Sequence, residues 1–345
     1  MRPSRAGAFA PGRVNLIGEH TDYNRGLALP FAIAQGITVR ATALAGERIH
    51  AHARDLGEED EFALGEISPA SGWRAFVRGT VAELAVAGVA PVGARVEIGG
   101  DLPRGAGLSS SAALEVALCL ALQALAGHAE RSDDPLATAR LCARVENDWV
   151  GAQTGLLDQL ASLCGEPHMA LRIDFSTLAV EPIPLPLEGW RLVVLDSGER
   201  HAHASSAYNQ RRLECVRACE LLGIASLREA SSDAVAQLPQ PLRDRALHVL
   251  GENQRVLDTV DALQAGQLDA LGELLNASHA SLRDLYGVST AAVEAAVRRL
   301  LDAGAAGARM VGGGFGGSVL GLFAPSGSPP EHAREVRPSA GANLL

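Results

Sequence analysis

Between Pro11 and Gly26 the chain crowds Arg13, Asn15, Glu19, His20, Thr21, Asp22, Tyr23, Asn24 and Arg25 among Val14, Leu16 and Ile17. Charged groups beside apolar residues are costly unless paired or hydrogen-bonded. Such a stretch either faces a polar ligand or ties up an elaborate surface loop with salt bridges. Its mix of donors and acceptors suits a sugar, whose hydroxyls each offer and want one of both. A second stretch, Gly99 to Ala113, runs Gly-Gly-Asp-Leu-Pro-Arg-Gly-Ala-Gly-Leu-Ser-Ser-Ser-Ala-Ala between a strand-like and a helix-like segment. Glycines let backbone approach a ligand, and a helix start presents unpaired N–H groups with partial positive charge. Three serines, Ser109, Ser110 and Ser111, exceed what one N-cap needs, which favours a phosphate cradle over simple capping. Asp158 follows Gly155 and opens an apolar run. That puts it in the first turn of a helix, where the dipole keeps a carboxylate ionised and where capping is the ordinary use.

A third glycine run, Gly312-Gly-Gly-Phe-Gly-Gly317, fits the dinucleotide fingerprint and, with Val319, the protein-kinase glycine loop. Context removes both. The segment that follows is strand-like rather than helical, and the chain lacks the His-Arg-Asp and Asp-Phe-Gly motifs. The run reads as a strand–strand turn that crosses an active site or merely permits tight packing.

The elements that must position these groups belong to a chain of 345 residues, 47% hydrophobic and 20% charged, enough for about two domains with ample core. A net charge of −10 argues against nucleic acid. All 30 basic residues are arginine, so the lysine-bearing phosphate loop and the kinase strand lysine are excluded. Phosphate chemistry here must rest on backbone amides, arginine and a metal. The five cysteines lack metal-type spacing, their number is odd, and the N-terminus has no apolar signal core. A reducing, cytoplasmic setting is expected. The most apolar stretch, Ala112 to Ala126, is too short to span a bilayer and reads as a buried helix. Nothing calls for an obligate protein partner.

Strands are expected at Ile37–Leu44, Ala94–Ile98, Arg191–Leu195 and Ser318–Phe323, and helices at Phe76–Ala87 and Leu108–Leu125. The second half is more helical, with amphipathic runs at Tyr208–Leu222, Leu242–Leu263, Leu268–Leu282 and Thr290–Asp302.

Taken in order, Pro11–Asp22, Gly105–Ala113 and Gly312–Gly317 resemble the three motifs of the GHMP small-molecule kinases. Within them, Gly-Arg-Val-Asn-Leu-Ile-Gly-Glu-His-Thr-Asp-Tyr is similar to the signature of the galactokinase family. The likeness runs from about residue 9 to about 324. It implies an α+β fold of two domains with the active site between them: an N-terminal domain like domain 2 of ribosomal protein S5, and a ferredoxin-like C-terminal domain with extra helices. The expected division is 1–168 and 169–324, with a strand from 325–345 returning to the first domain. The implied reaction is ATP-dependent phosphorylation of the anomeric hydroxyl of galactose. By the same resemblance, Asp158 would be the catalytic carboxylate and Arg13 the arginine that holds it ionised. Glu19, His20, Thr21 and Asp22 would meet the sugar, with Tyr208 closing its site. Gly105, Ala106, Gly107, Leu108, Ser109, Ser110 and Ser111 would wrap the ATP phosphates, and Ser111 with Glu146 would flank Mg2+. Two rivals stay open: a GHMP kinase for another C1 sugar, and a non-catalytic sensor that binds sugar and ATP. The intact serine loop and Asp158 speak against the second.

Overall fold

The computed structural model describes residues 2–103, 105–200 and 204–345; Arg104, inside the first glycine-rich stretch, lies outside the described residues. Strands β1 (Arg5–Asn15), β2 (Leu27–Ala28), β3 (Pro30–Ala43), β4 (Arg48–Ala53) and β5 (Glu58–Ala63) come first. Helix α1 (Trp73–Val86), strand β6 (Ala94–Gly100) and helices α2 (Ser110–Leu125), α3 (Pro135–Arg144) and α4 (Leu157–Cys164) follow. Then come β7 (Met169–Asp174), β8 (Ala179–Pro184), β9 (Arg191–Arg200), α5 (Ala204–Leu222), α6 (Ser232–Ala236), α7 (Leu242–Gln264), α8 (Leu268–Ser281) and α9 (Ala291–Asp302). Strands β10 (Gly307–Met310), β11 (Gly316–Phe323), β12 (Arg334–Val336) and β13 (Asn343–Leu344) close the chain.

A six-stranded sheet has the order β13-β1-β3-β6-β4-β5, and α2 packs across it. Because every residue of α2 from Ala112 to Leu125 is buried, its near-continuous apolar sequence is that of an interior helix rather than an amphipathic one. A four-stranded sheet, β10-β11-β9-β12, forms the second half, covered by α9 and joined through β10 to α8. Local chemistry sets several element ends. Asp134 accepts from the Ala137 amide with Pro135 at the first helical position of α3, and Thr290 accepts from Val293 at the start of α9. Among the described residues no helix is long and apolar enough to cross a membrane.

Sheet pairing runs across residues 168 and 324. Strands β7 and β8 join β2 in a three-stranded sheet, and Leu171 and Ile173 share a core with Leu157 and Leu160. Residues 169–184 therefore stand with the first half. Strand β12 pairs with β9 of the second sheet, and only β13 returns to β1. That return is short. It is threaded by backbone bonds from Ser339 to Ala32, Gly341 to Gly165 and Ala342 to Ser162.

Two helical runs close in π-helical turns, Val145–Val150 and Leu282–Tyr286. Such turns shift the register of the side chains that follow and occur often at functional sites. Helical periodicity carries no sign of them.

Candidate active site

Arg13 sits on β1 where the pairing with β3 slips between Pro11 and Arg13. At the slip, a Cβ on Gly12 would stand 2.6 Å from the Leu108 carbonyl, so only glycine lets β1 lie against the serine loop. The re-aimed Arg13 side chain is almost wholly buried. Its Nε and Nη2 both reach Asp158 Oδ1 at 2.7 Å, and its Nη1 donates to the Gly107 carbonyl at 2.8 Å. Asp158 lies in the first turn of α4, as expected, and its other oxygen accepts from Ser109 Oγ. Ser109 holds the N-cap position of α2 in a left-handed conformation (φ 58°) and makes no side-chain cap. The capping alternative is thus not what the serine does, and its side chain leaves the first amides of α2 uncapped.

Arg13 and Asp158 line a cavity of about 270 Å³ together with Glu19, His20, Asp22 and Tyr208, closed on one side by Gly312, Gly313 and Gly314. The glycine run is a turn between β10 and β11 that borders this cavity. Thr21 is the exception among the expected sugar contacts, and we correct its placement. It is fully buried, and its hydroxyl lies 2.9 Å from the Gly18 carbonyl and 2.7 Å from that of Leu27, so it braces the loop instead of facing the cavity.

Burial dominates the charges. It holds the carboxyl of Glu19 above its usual range, against the opposing pull of Arg309 and Arg13. Asp22 is pushed up to about 6 by burial, with Asp158 and Glu19 adding like-charge repulsion and the Tyr23 amide opposing. His20 falls to about 3 for the same first reason and is neutral at ordinary pH. Glu146 lies in the first π-helical turn, accepting from Thr154 Oγ1 at 2.7 Å and Gln159 Nε2 at 3.0 Å. It is raised to about 7, by burial first and then by nearby Asp158, against those two bonds. Ser110 and Ser111 line a separate apolar slot of about 240 Å³ with Ile37, Trp73, Phe76 and Leu114.

Several groups that shape the site carried no assignment in the sequence. Arg309, fully buried, donates to the carbonyls of Asn15 and Leu16 and lies 3.2 Å from Glu19 Oε1, which also accepts from the Gly312 amide at 2.7 Å. Glu252 accepts from the Gly18 amide at 3.0 Å. His248 Nε2 lies 3.1 Å from the Glu19 carbonyl, so that nitrogen carries the proton while Nδ1 faces Ser281. A signal existed: His248 and Glu252 stand one turn apart on the buried stripe of α7 beside Val249 and Val256, where polar residues need a reason.

This architecture is that of a GHMP kinase: the chain matches the GHMP kinases N terminal domain over residues 75–166 and the GHMP kinases C terminal over 259–343. It also matches the galactokinase galactose-binding signature over residues 2–43. The chain belongs to the galactokinase family. It is 43% identical to a galactokinase of Roseiflexus sp. (strain RS-1) over 91% of this chain and 82% of that protein. It is also 43% identical to one of Mycobacterium tuberculosis (strain ATCC 25177 / H37Ra), over 95% and 90%. The crystal structure of Lactococcus lactis galactokinase complexed with galactose superposes with a TM-score of 0.91 at 32% identity, covering 99% of this chain and 95% of that one. Methanococcus jannaschii mevalonate kinase shares the fold alone, at TM-score 0.68 and 17% identity over 99% of each chain.

Proposed function

We propose that the protein transfers the γ-phosphoryl group of ATP to the anomeric hydroxyl of galactose, releasing galactose 1-phosphate and ADP. The observation that carries this reading is the Arg13–Asp158 pair, buried on one side, open to a sugar-sized cavity on the other and bonded to the serine loop through Gly107 and Ser109. Phosphoryl transfer needs positioning and charge stabilisation more than covalent chemistry. Asp158 orients the C1 hydroxyl and receives its proton as the new O–P bond forms and the bond to the ADP oxygen breaks. Arg13 holds that carboxylate in place through Nε and Nη2 and stabilises charge on the moving group. Glu19, His20, Asp22 and Tyr208 bind the sugar hydroxyls.

Residues Gly105–Ser111 and the uncapped first turn of α2 offer amides to the nucleotide phosphates. The apolar slot beside Ser110 and Ser111 suits the flat face of the base. Among the described residues no cluster of three or more His, Cys, Asp or Glu forms a metal cage. Magnesium does not need one, being held by one or two carboxylates beside substrate phosphates. The residues fit it. Burial holds Glu115 well above the usual carboxyl range, Glu146 adds repulsion, and Glu115 Oε1 has no partner among the described residues, so a cation would relieve the crowd. Ser111 and Glu146 would hold the ion, which when bound offsets charge on the phosphates. The five cysteines are free, and we place the reaction in the cytoplasm.

Coupled ADP release measured across several hexoses, with phosphorus NMR of the product, tests the reading. Galactose-dependent ADP and a C1 phosphate are expected. Asp158→Asn should cut turnover by about 10²–10⁴-fold with little change in nucleotide affinity. Binding of galactose and ATP without ADP formation would overturn the kinase reading, and unchanged turnover in Asp158→Asn would remove that residue from its role.

A further inference from the structure

A line of hydrogen bonds leaves the sugar cavity through His20 and ends in the second half of the chain. His20 Nδ1 lies 2.7 Å from Tyr23 Oη, which lies 2.9 Å from Tyr286 Oη, which in turn lies 3.1 Å from Cys215 Sγ. Tyr286 is the last residue of the second π-helical turn and is fully buried. Its ring sits between two imidazoles, 4.6 Å from His20 and 4.4 Å from His248. Cys215 is on α5, the helix that also brings Tyr208 to the cavity.

Each of the three links can run in either direction. Asn24 favours one sense. Its Nδ2 donates to the His20 carbonyl at 2.8 Å, which fixes the amide orientation because a carbonyl only accepts, and the same Nδ2 donates to Cys215 Sγ at 3.6 Å. With the sulfur already accepting from Asn24, the sense in which its S–H donates to Tyr286 uses both groups of the thiol, whereas the reverse sense aims two donors at one weak acceptor. Tyr286 then donates to Tyr23, and Tyr23 donates to His20 Nδ1. We propose that Cys215, Tyr286 and Tyr23 form a one-way relay that holds His20 as the Nε2–H tautomer, so that His20 donates a hydrogen bond to a hydroxyl of the sugar.

The rest of the cavity explains why a donor is wanted there. Nε2 of His20 is buried and makes no well-formed hydrogen bond among the described residues, although the Gly313 backbone lies close to the ring. Glu19, Asp22 and Asp158 around the cavity accept when ionised, and Arg13 is already engaged by Asp158 and the Gly107 carbonyl. A neutral imidazole presenting Nε2–H adds a donor to those of Tyr208 and Asn209 in the cavity wall, and a site built on such a bond discriminates strongly against a sugar without the matching hydroxyl. Tyr23, Tyr286 and Cys215 are positioning residues: they act through His20. The inference rests on the sugar reading above for its ligand, but the tautomer belongs to the protein alone.

That independence sets the experiment. With ¹⁵N-labelled histidine, NMR of the sugar-free protein reads which ring nitrogen carries the proton, and His20→Gln identifies the His20 signals. The expected result is a protonated Nε2 and an unprotonated Nδ1. Tyr286→Phe should introduce the Nδ1–H form, because Tyr23 then has a free oxygen to accept, and should raise KM for galactose about tenfold while KM for ATP stays the same. If Tyr286→Phe does not fold, the pair Cys215→Ser and Cys215→Ala decides: serine, still a donor, should keep the wild-type tautomer and KM, and alanine should lose both. A protonated Nδ1 in the wild-type protein overturns the proposal, and so does a tautomer unchanged in Tyr286→Phe and Cys215→Ala, whatever happens to KM. A protein with the expected tautomer but no galactose-dependent ADP would instead leave the relay standing and overturn the choice of substrate.

Discussion

At the scale of the residue, the site is governed by acids kept from water. Gln159 Nε2 bridges Glu146 at 3.0 Å and Glu115 at 3.3 Å, and Glu115 is fully buried in the core helix α2. Burial raises Glu146 to about 7. An acid raised in the folded state binds more protons there than in the unfolded chain, so its contribution to stability falls as pH climbs from about 4.5 to about 7 and the full penalty applies above that. At one pKa unit per 1.36 kcal/mol, and allowing for relaxation around the charge, Glu146 should destabilise the metal-free protein by about 1–3 kcal/mol at pH 8 relative to acid pH. Glu146→Gln keeps an acceptor for Thr154 while removing the charge. It should flatten this part of the pH–stability profile and raise the melting temperature at pH 8. Added Mg2+ should stabilise the wild-type protein more at pH 8 than at pH 5.5, and the glutamine variant less at both. Superimposable melting profiles for the two proteins across pH would show that Glu146 is not the strained acid.

At the scale of the element, loops and irregular turns do the aiming, and they mark the boundary of what sequence reveals. The segment Ala152–Leu157 shows how tightly. A Cβ on Gly155 would stand 2.0 Å from Asp22 Oδ2, and no positive φ is required there, so alanine fits the backbone but evicts the Asp22 carboxylate. Gly155→Ala should therefore raise KM for galactose by at least tenfold, about 1.4 kcal/mol, with KM for ATP and far-UV circular dichroism unchanged. Equal losses for both substrates would mean general disorder of the loop instead. The helices and strands were legible because they obey local periodicity: the expected Thr290–Asp302 run forms as Ala291–Asp302 with Thr290 as its cap. Arg13, Asp158 and the serine loop meet at one cavity, but only the family resemblance linked them, because Arg13 lies 94 residues from Gly107 and 145 from Asp158 and a lone aspartate in a first turn reads as a cap. Thr21 was misjudged because neighbours in sequence can face opposite ways. The role of Tyr286 depends on a π-turn and on contacts with Cys215 and Tyr23, 71 and 263 residues away, which no local pattern encodes.

At the scale of the whole molecule, the second half of the chain grips the sugar-binding loop of the first. Arg309 on β10 reaches into the Asn15–Glu19 segment, and Glu252 on α7 holds the Gly18 amide. His20 keeps a left-handed backbone (φ 62°), a conformation that persists only where its surroundings over-determine it. Burial would raise Glu252, yet His248, Arg255 and Arg309 together take it down to about 2, so this side of the grip carries a full negative charge. The buried Arg309–Glu19 pair is then a matter of balance rather than of strength. Removing one partner of a buried pair leaves the other uncompensated and typically costs about 3–5 kcal/mol, whereas removing both costs much less. Arg309→Met, similar in length and uncharged, should lower stability by that amount in urea unfolding and raise KM for galactose. Glu19→Gln placed in the Arg309→Met background should recover part of the lost stability, because an unpaired buried carboxylate is no longer present. The cycle of two single variants and the double variant isolates that coupling. If the two losses simply add, Arg309 serves the Asn15 and Leu16 carbonyls alone, and the union of the two halves at the sugar loop does not run through Glu19.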